Sequence, residues 1–141
     1  MEQKLLWSTA TLRVHSKQLD AEEITERLGV APTKTQRLGE LMSPRYPESS
    51  VFDENLWLLD FEQPSSLEAQ LGQVSNFVSE HLAVFRELAR VSEIDVFCGC
   101  SFASEPGTVA LSPDMINSFA QVPIEIVFDF YFSGEGDSLD P

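Results

Sequence analysis

The sequence lacks basic residues over most of its length, and none follows Arg90. The chain of 141 residues holds 9 basic residues against 23 acidic ones, for a net charge of −14. Residues 1–45 hold seven basic and six acidic residues, 46–90 hold two and eight, and 91–141 hold none and nine. Such a charge repels phosphate backbones and anionic membrane surfaces, so we expect neither nucleic acid nor a membrane as partner. It should instead attract cations or basic proteins to the C-terminal half.

Metal-binding and nucleophilic motifs are also missing. The only histidines are His15 and His81, and the only cysteines are Cys98 and Cys100. A closed zinc site needs four ligands, and these four are not suitably spaced. The two cysteines are one residue apart, so a strand would turn both to one face, and we expect reduced thiols in the core. With no Gly-x-Ser-x-Gly elbow either, we predict a non-catalytic protein without metal or cofactor.

Long hydrophobic runs are absent too. No apolar run approaches the roughly 20 residues that span a bilayer, and the N-terminus lacks the features of a signal peptide. We therefore expect a cytoplasmic protein. With 43% hydrophobic residues, the chain is large enough to close one core without disulfides. We predict a single domain over 1–133 and a flexible acidic tail over 134–141.

Hydrophobic periodicity indicates the fold class. Two-residue alternation predicts main strands at 5–14, 56–62, 93–102 and 124–132, with short strands at 108–111 and within the loop 30–55. Helix-capping signals are Asp20 with Glu23, Ser65 with Glu68, and Ser112 before Pro113. The second signal opens a helix of six turns that ends at Leu88. Together they predict an α+β, two-layer, ferredoxin-like domain, with a mainly antiparallel sheet of four to five strands and two to three helices on one face.

Several stretches resemble the family called domain of unknown function 4279. The residues that carry the resemblance are Ala10-Thr11-Leu12-Arg13-Val14, the run LDAEEITERLGV over 19–30, Pro32-Thr33 with Arg37 and Gly39, Trp57, and Leu111-Ser112-Pro113. The resemblance covers nearly the whole chain. It implies a small bacterial α+β protein, and it carries over no catalytic residues.

The polar sides of the predicted strands supply the main candidate site. If the apolar sides lie under helices, the opposite face mixes acids with exposed aromatic residues. The candidates for partner binding on this face are Asp60, Asp95, Phe97, Asp129 and Tyr131. Aromatic anchors with carboxylate charge partners suit a basic protein surface. We therefore predict an acidic protein that binds a basic protein partner, most concretely a toxin-neutralising immunity protein. Burial of this face in a homodimer or structural homo-oligomer is an alternative.

A second alternative is an anion or nucleotide site in the loop after the first helix, in a small-molecule sensor or enzyme. Its candidate residues are Thr33, Lys34, Thr35, Arg37 and Arg45. Hydroxyl groups beside cations can hold a carboxylate or phosphate. However, the loop lacks the phosphate-loop pattern and follows the C-terminal end of a helix, whose dipole disfavours anions.

Overall fold

Five strands form one sheet in the order β2-β3-β1-β4-β5. The computed structural model describes residues 5–63, 66–102 and 108–132. The strands are β1 (Leu5–Ser16), β2 (Lys34–Gln36), β3 (Asn55–Phe61), β4 (Glu93–Phe102) and β5 (Ile124–Phe132). The helices are α1 (Ala21–Leu28), α2 (Leu67–Glu80), α3 (Leu82–Leu88) and α4 (Pro113–Ala120). The prediction of an α+β fold is confirmed, with four helices rather than two to three.

The sheet is mixed, with antiparallel pairing from β2 to β4 and one parallel pair at its edge. β1 is the central strand and pairs with β3 and β4, both antiparallel. β5 pairs parallel to β4, and α4 lies in the crossover between them. Up to β4 the element order follows the β-α-β-β-α-β pattern of ferredoxin-like domains, and α4 and β5 extend it.

Alternation along the strands separates a core face from its opposite. Ala10, Leu12 and Val14 of β1 are fully buried in one cluster with the apolar sides of the helices. Cys98 and Cys100 lie in the same core as free thiols, as predicted. Burial raises the pKa of the Cys98 thiol to about 12, so this sulfur stays protonated and behaves as a small hydrophobic group.

Helices α1 and α4 begin at the predicted capping residues, and the cap of α2 lies one residue later than predicted. Asp20 and Glu23 form the predicted capping box of α1, and Ser112 caps α4 before Pro113. The cap of α2 is Ser66, which accepts a hydrogen bond from the Ala69 amide. The predicted cap, Ser65, lies outside the described residues. None of the described helices is long and apolar enough to cross a membrane.

The predicted six-turn helix is wrong, because it is interrupted at His81. This residue has φ −122° and ψ 32°, outside the helical region, and separates α2 from α3. The carbonyl oxygen of Phe77 lies 2.9 Å from His81 Nδ1 and 3.2 Å from the His81 amide nitrogen. A side chain that competes for a backbone carbonyl perturbs a helix at that point. The break accounts for the fourth helix.

The strand predicted at 108–111 is also wrong, because residues 108–112 have no regular secondary structure. β1 and β5 flank β4 on its two sides, so no sheet edge beside β4 is left for another strand. The Ala110 amide instead donates to the Glu68 carboxylate of α2, at 3.1 Å. The predicted turn at Pro106-Gly107 and the predicted tail over 134–141 lie outside the described residues.

One polar side chain, Gln70 of α2, is fully buried against the end of β1. Its Nε2 donates to the carbonyl oxygens of Ser8 and Glu62, at 3.1 and 3.0 Å. Its Oε1 accepts from the Ser8 hydroxyl at 3.0 Å. A single amide thus satisfies polar groups at the ends of two strands, and it joins α2 to the sheet.

Replacing Gln70 by leucine should lower the free energy of unfolding by about 2 kcal/mol or more, because each buried polar group left without a partner costs about 1–3 kcal/mol. Urea denaturation measures this loss. Gln73, exposed on the same helix, provides the matched control: Gln73→Leu should change stability by no more than about 0.5 kcal/mol. Equal effects of the two substitutions would show that the buried amide does not hold α2 to the sheet.

Candidate functional site

The side of the sheet that faces away from the core and the helices is called the open face here. It consists of the odd-numbered residues of β1 from Trp7 onward, of β4 and of β5, and the even-numbered residues of β2 and β3, by the pairing register. All five residues predicted for partner binding lie on this face: Asp60, Asp95, Phe97, Asp129 and Tyr131. Their role in binding stays a prediction, and their environments differ.

Asp95 lies near one end of β4 on the open face and is already paired. The Arg13 guanidinium donates from Nε to Asp95 Oδ1 at 2.7 Å and from Nη2 to Oδ2 at 3.0 Å. His15 Nε2 lies 3.3 Å from the same Oδ2. Asp95 is only 9% exposed. The charge of Asp95 is therefore compensated within the sheet, and its role in partner binding stays a prediction.

The same cluster shifts the pKa values of His15 and Asp95. His15 lies between two carboxylates, since its Nδ1 is 2.9 Å from Glu54 Oε2. The hydrogen bond to Asp95 is the largest influence and raises the pKa of His15, against the opposing effect of burial. Burial by itself would raise the pKa of Asp95, but the hydrogen bonds from His15 and Arg13 outweigh it and lower that pKa. Both shifts favour the charged forms of the two side chains.

Sequence reasoning missed His15 as part of this cluster. The predicted first strand ends at Val14, whereas β1 continues to Ser16, and His15 simply extends its polar alternation. Following that alternation for two more residues would have placed His15 beside Arg13 on the open face. Its partners are not visible locally, since they lie 39 and 80 positions away in the chain.

An open groove of about 500 Å³ runs beside His15 at this end of the sheet, lined also by Glu54, Arg90 and Ser92. The Ser92 hydroxyl is buried and has no hydrogen-bond partner among the described residues. Within the described part of the chain, no three His, Cys, Asp or Glu side chains are placed to hold a metal ion.

Asp60 and Phe97 occupy one lateral row of the open face, on either side of Thr11. The Thr11 hydroxyl donates to Asp60 Oδ1 at 2.7 Å. The Arg13 guanidinium carbon lies 4.8 Å from the centre of the Phe97 ring, a cation–π distance. Both residues remain partly exposed, so a partner could still contact the Asp60 carboxylate and the rim of the Phe97 ring.

Asp129 and Tyr131 lie at the opposite end of the open face, on β5. The Tyr131 hydroxyl donates to Asp129 Oδ2, and this bond is the main reason that the pKa of Tyr131 is raised. Tyr131 also lies beside Trp7, with ring centres 6.0 Å apart. A Cβ atom on Gly99 would meet the Trp7 ring at 3.1 Å, so the glycine lets Trp7 lie close to the sheet. Trp7 and Tyr131 are 48% and 47% exposed.

The charge asymmetry of the sequence survives in the fold. The basic side chains of the open face lie on β1 and β2: Arg13, His15 and Lys34. β4 and β5 contribute acids to this face and no Lys or Arg: Glu93, Asp95, Glu125 and Asp129. With Asp95 paired to Arg13, the β5 side of the open face carries carboxylates without a basic residue of its own.

The residues predicted for an anion site do not come together. The Thr33 hydroxyl accepts from the Asp60 amide at 2.9 Å, and Lys34 lies on the open face of β2 while Thr35 points to the opposite side. Arg37 pairs with Glu22 of α1, with Nη2 to Oε2 at 3.0 Å. Arg45 lies further out, beyond the bridge between residues 41 and 51.

The groove beside Thr35 and Arg37 is itself acidic. It is lined also by Asp20, Glu22 and Glu40. Three carboxylates around one guanidinium would repel a phosphate or carboxylate ligand. This lining and the dispersal of the candidate residues do not favour an anion site in this loop.

The raised pKa of His15 should appear as a pH dependence of stability. Its contribution is fully present below the ordinary value of 6.5 and is lost as pH rises through the higher pKa of the folded protein. The free energy of unfolding should therefore fall above pH 6.5, and it should fall less in His15→Gln. NMR titration of the His15 ring checks the cause directly: Glu54→Gln should lower its pKa, while a wild-type value at or below 6.5 would contradict the assignment.

Comparison with known proteins places the chain in a family. The model of the family described as Domain of unknown function (DUF4279) matches residues 6–133. No curated protein and no solved structure matches the chain significantly. Because the match covers nearly the whole chain, the chain belongs to the DUF4279 family.

Proposed function

We propose that this protein is a non-catalytic, cytoplasmic binding protein that recognises a basic protein partner through the open face of its sheet. A toxin-neutralising immunity protein is the most concrete form of this function. The observation that carries the proposal is the segregation of charge on the sheet, since β4 and β5 present carboxylates and no Lys or Arg.

Three acids are available for such a partner. Glu125 is exposed, and Asp60 and Asp129 are partly exposed. Among the described residues, the side chains of Asp60 and Asp129 accept hydrogen bonds from the neutral hydroxyls of Thr11 and Tyr131, which do not compensate their charge. Asp95 is different because Arg13 neutralises it. Asp60, Glu125 and Asp129, rather than Asp95, are therefore the acids proposed to contact the partner.

Aromatic side chains adjoin Asp129 and supply apolar contact area. Trp7 and Tyr131 are about half exposed and lie side by side next to Asp129. Large aromatic residues provide much of the binding energy at protein interfaces, and the surrounding charges mainly set specificity and the rate of association. This combination is typical of a surface that recognises a cationic protein.

Self-association through the same surface is the competing hypothesis. Two copies would bring a net charge of −14 each, and the β5 side of each copy offers no Lys or Arg to compensate the carboxylates of the other. Like charges in a shared interface cost binding energy. The charge pattern thus favours a basic partner over a second copy. Light scattering at high protein concentration tests this point, because a stable dimer would support self-association.

The proposal predicts that binding weakens with salt and with loss of these acids. Affinity capture from the lysate of the native host, washed at low and moderate salt, should retain a basic protein at low salt. With that purified partner, the triple variant Asp60→Asn, Glu125→Gln, Asp129→Asn should bind at least about tenfold more weakly, because three charge pairs are lost. Its affinity should also depend less on ionic strength.

The matched control removes three acids from the helical side of the molecule. Glu26, Glu80 and Glu87 are exposed, so the triple substitution to glutamine changes the net charge equally while it leaves the open face intact. It should retain near wild-type affinity. Binding that is indifferent both to salt and to the open-face triple variant would overturn the proposed function.

A further inference from the structure

The two edges of the sheet differ in how they are protected against pairing with another chain. Edge strands expose unpaired backbone groups, and proteins commonly block them by shortness, lysine, proline or bulges. β2 is such a blocked edge, with three residues of which one is Lys34. β5 has nine residues, IEIVFDFYF, without proline or lysine. Its register with β4 is unbroken, so no bulge turns it aside.

The outer edge of β5 is unoccupied in the part of the chain described, since no strand over 5–63, 66–102 or 108–132 pairs with it. Its side chains alternate between two surfaces. Glu125, Val127, Asp129 and Tyr131 lie on the open face, and Ile124, Ile126, Phe128 and Phe130 on the helix side. The aromatic residues on the helix side are not fully covered: Phe128 and Phe130 are 37% and 45% exposed, with rings stacked at 5.7 Å.

We infer that the outer edge of β5 is a docking site for an extended segment of a basic partner, which adds to the sheet as a sixth strand. This inference rests on the proposed function and specifies how the partner is held. Backbone hydrogen bonds along β5 would provide affinity, and the alternating side chains would provide specificity, as in other cases of strand addition.

Charge complementarity identifies the kind of segment that fits. Glu125 and Asp129 are four residues apart on one side of β5, with Val127 between them. Directly opposite positions on a neighbouring strand interact, so the segment should carry Lys or Arg at positions i and i+4. Its residues at i+1 and i+3 face the helix side and should be apolar, to contact Ile126 and Phe128.

A second copy of this chain fits the same edge less well. Antiparallel pairing of two β5 strands would place two copies of Glu125 and Asp129 on one side of the joint sheet. No Lys or Arg occurs in β4 or β5 to compensate them. Like charges on adjacent strands are destabilising. These two acids therefore act against self-pairing and in favour of a basic segment.

A synthetic peptide provides the direct test, with lysine at its first and fifth positions, threonine at the third and isoleucine at the second and fourth. It should bind the full chain, and the β5 backbone amides should exchange hydrogen more slowly in the complex. The double variant Glu125→Lys, Asp129→Lys should weaken binding at least about tenfold. The control Glu26→Lys, Glu87→Lys has the same net charge and places its changes on α1 and α3. It should bind nearly as well as the wild type.

A peptide of the same sequence with N-methylated amides separates strand addition from simple charge attraction. It keeps both lysines but cannot donate the backbone hydrogen bonds of a strand, so it should bind at least about tenfold more weakly. Equal binding of the two peptides, or no added protection of β5, would overturn β5 docking while leaving an acidic binding face intact. No binding of the unmodified peptide at millimolar concentration would also overturn it. The proposed function fails separately, if the binding of a captured partner is unchanged both by salt and by the open-face triple variant.

Discussion

The pairing of Asp95 with Arg13 and His15 determines how charge is arranged over the whole open face. A carboxylate that is only 9% exposed needs such partners to stay ionised. Arg13 and His15 come from the central strand, where both neighbouring strands fix their positions. Once these two groups are engaged by Asp95 and Glu54, the strands β1, β4 and β5 hold no other cation on this face. The acids of β5 are left uncompensated as a result.

Local sequence signals are sufficient to predict those elements whose structure depends on interactions between residues close in the chain. Alternation separated the two faces of β1 and placed Cys98 and Cys100 in the core, because side-chain direction in a strand has a strict period of two. The capping box at Asp20 located α1 because its hydrogen bonds are made within one turn. The two predicted elements that are wrong, the six-turn helix and the strand at 108–111, are prevented by competing interactions. His81 competes for a helical carbonyl, and the Ala110 amide donates to the Glu68 carboxylate of α2 rather than to a neighbouring strand.

The candidate site was only partly predictable for the same reason. The sequence placed five residues on one face, but it did not distinguish a neutralised acid from an available one. Asp95 and Asp129 both look like strand acids facing solvent, and they differ because Arg13 lies across from Asp95 whereas Gly99 lies across from Asp129. That contrast requires the strand order and the register. Neither is encoded in periodicity, because any strand order preserves the same alternation.

The absence of basic residues after Arg90 bears on both proposals about β5: that it does not pair with a second copy of the chain, and that it accepts a basic segment. A nine-residue aromatic edge strand is a hazard in a protein that must stay dispersed. Glu125 and Asp129 reduce that hazard, because pairing with a second copy would bring uncompensated carboxylates together. A lysine on β5 would protect the edge equally well, but it would repel a basic partner. Under the proposed docking, protection by acids alone would disfavour pairing with a second copy and favour pairing with a cationic segment.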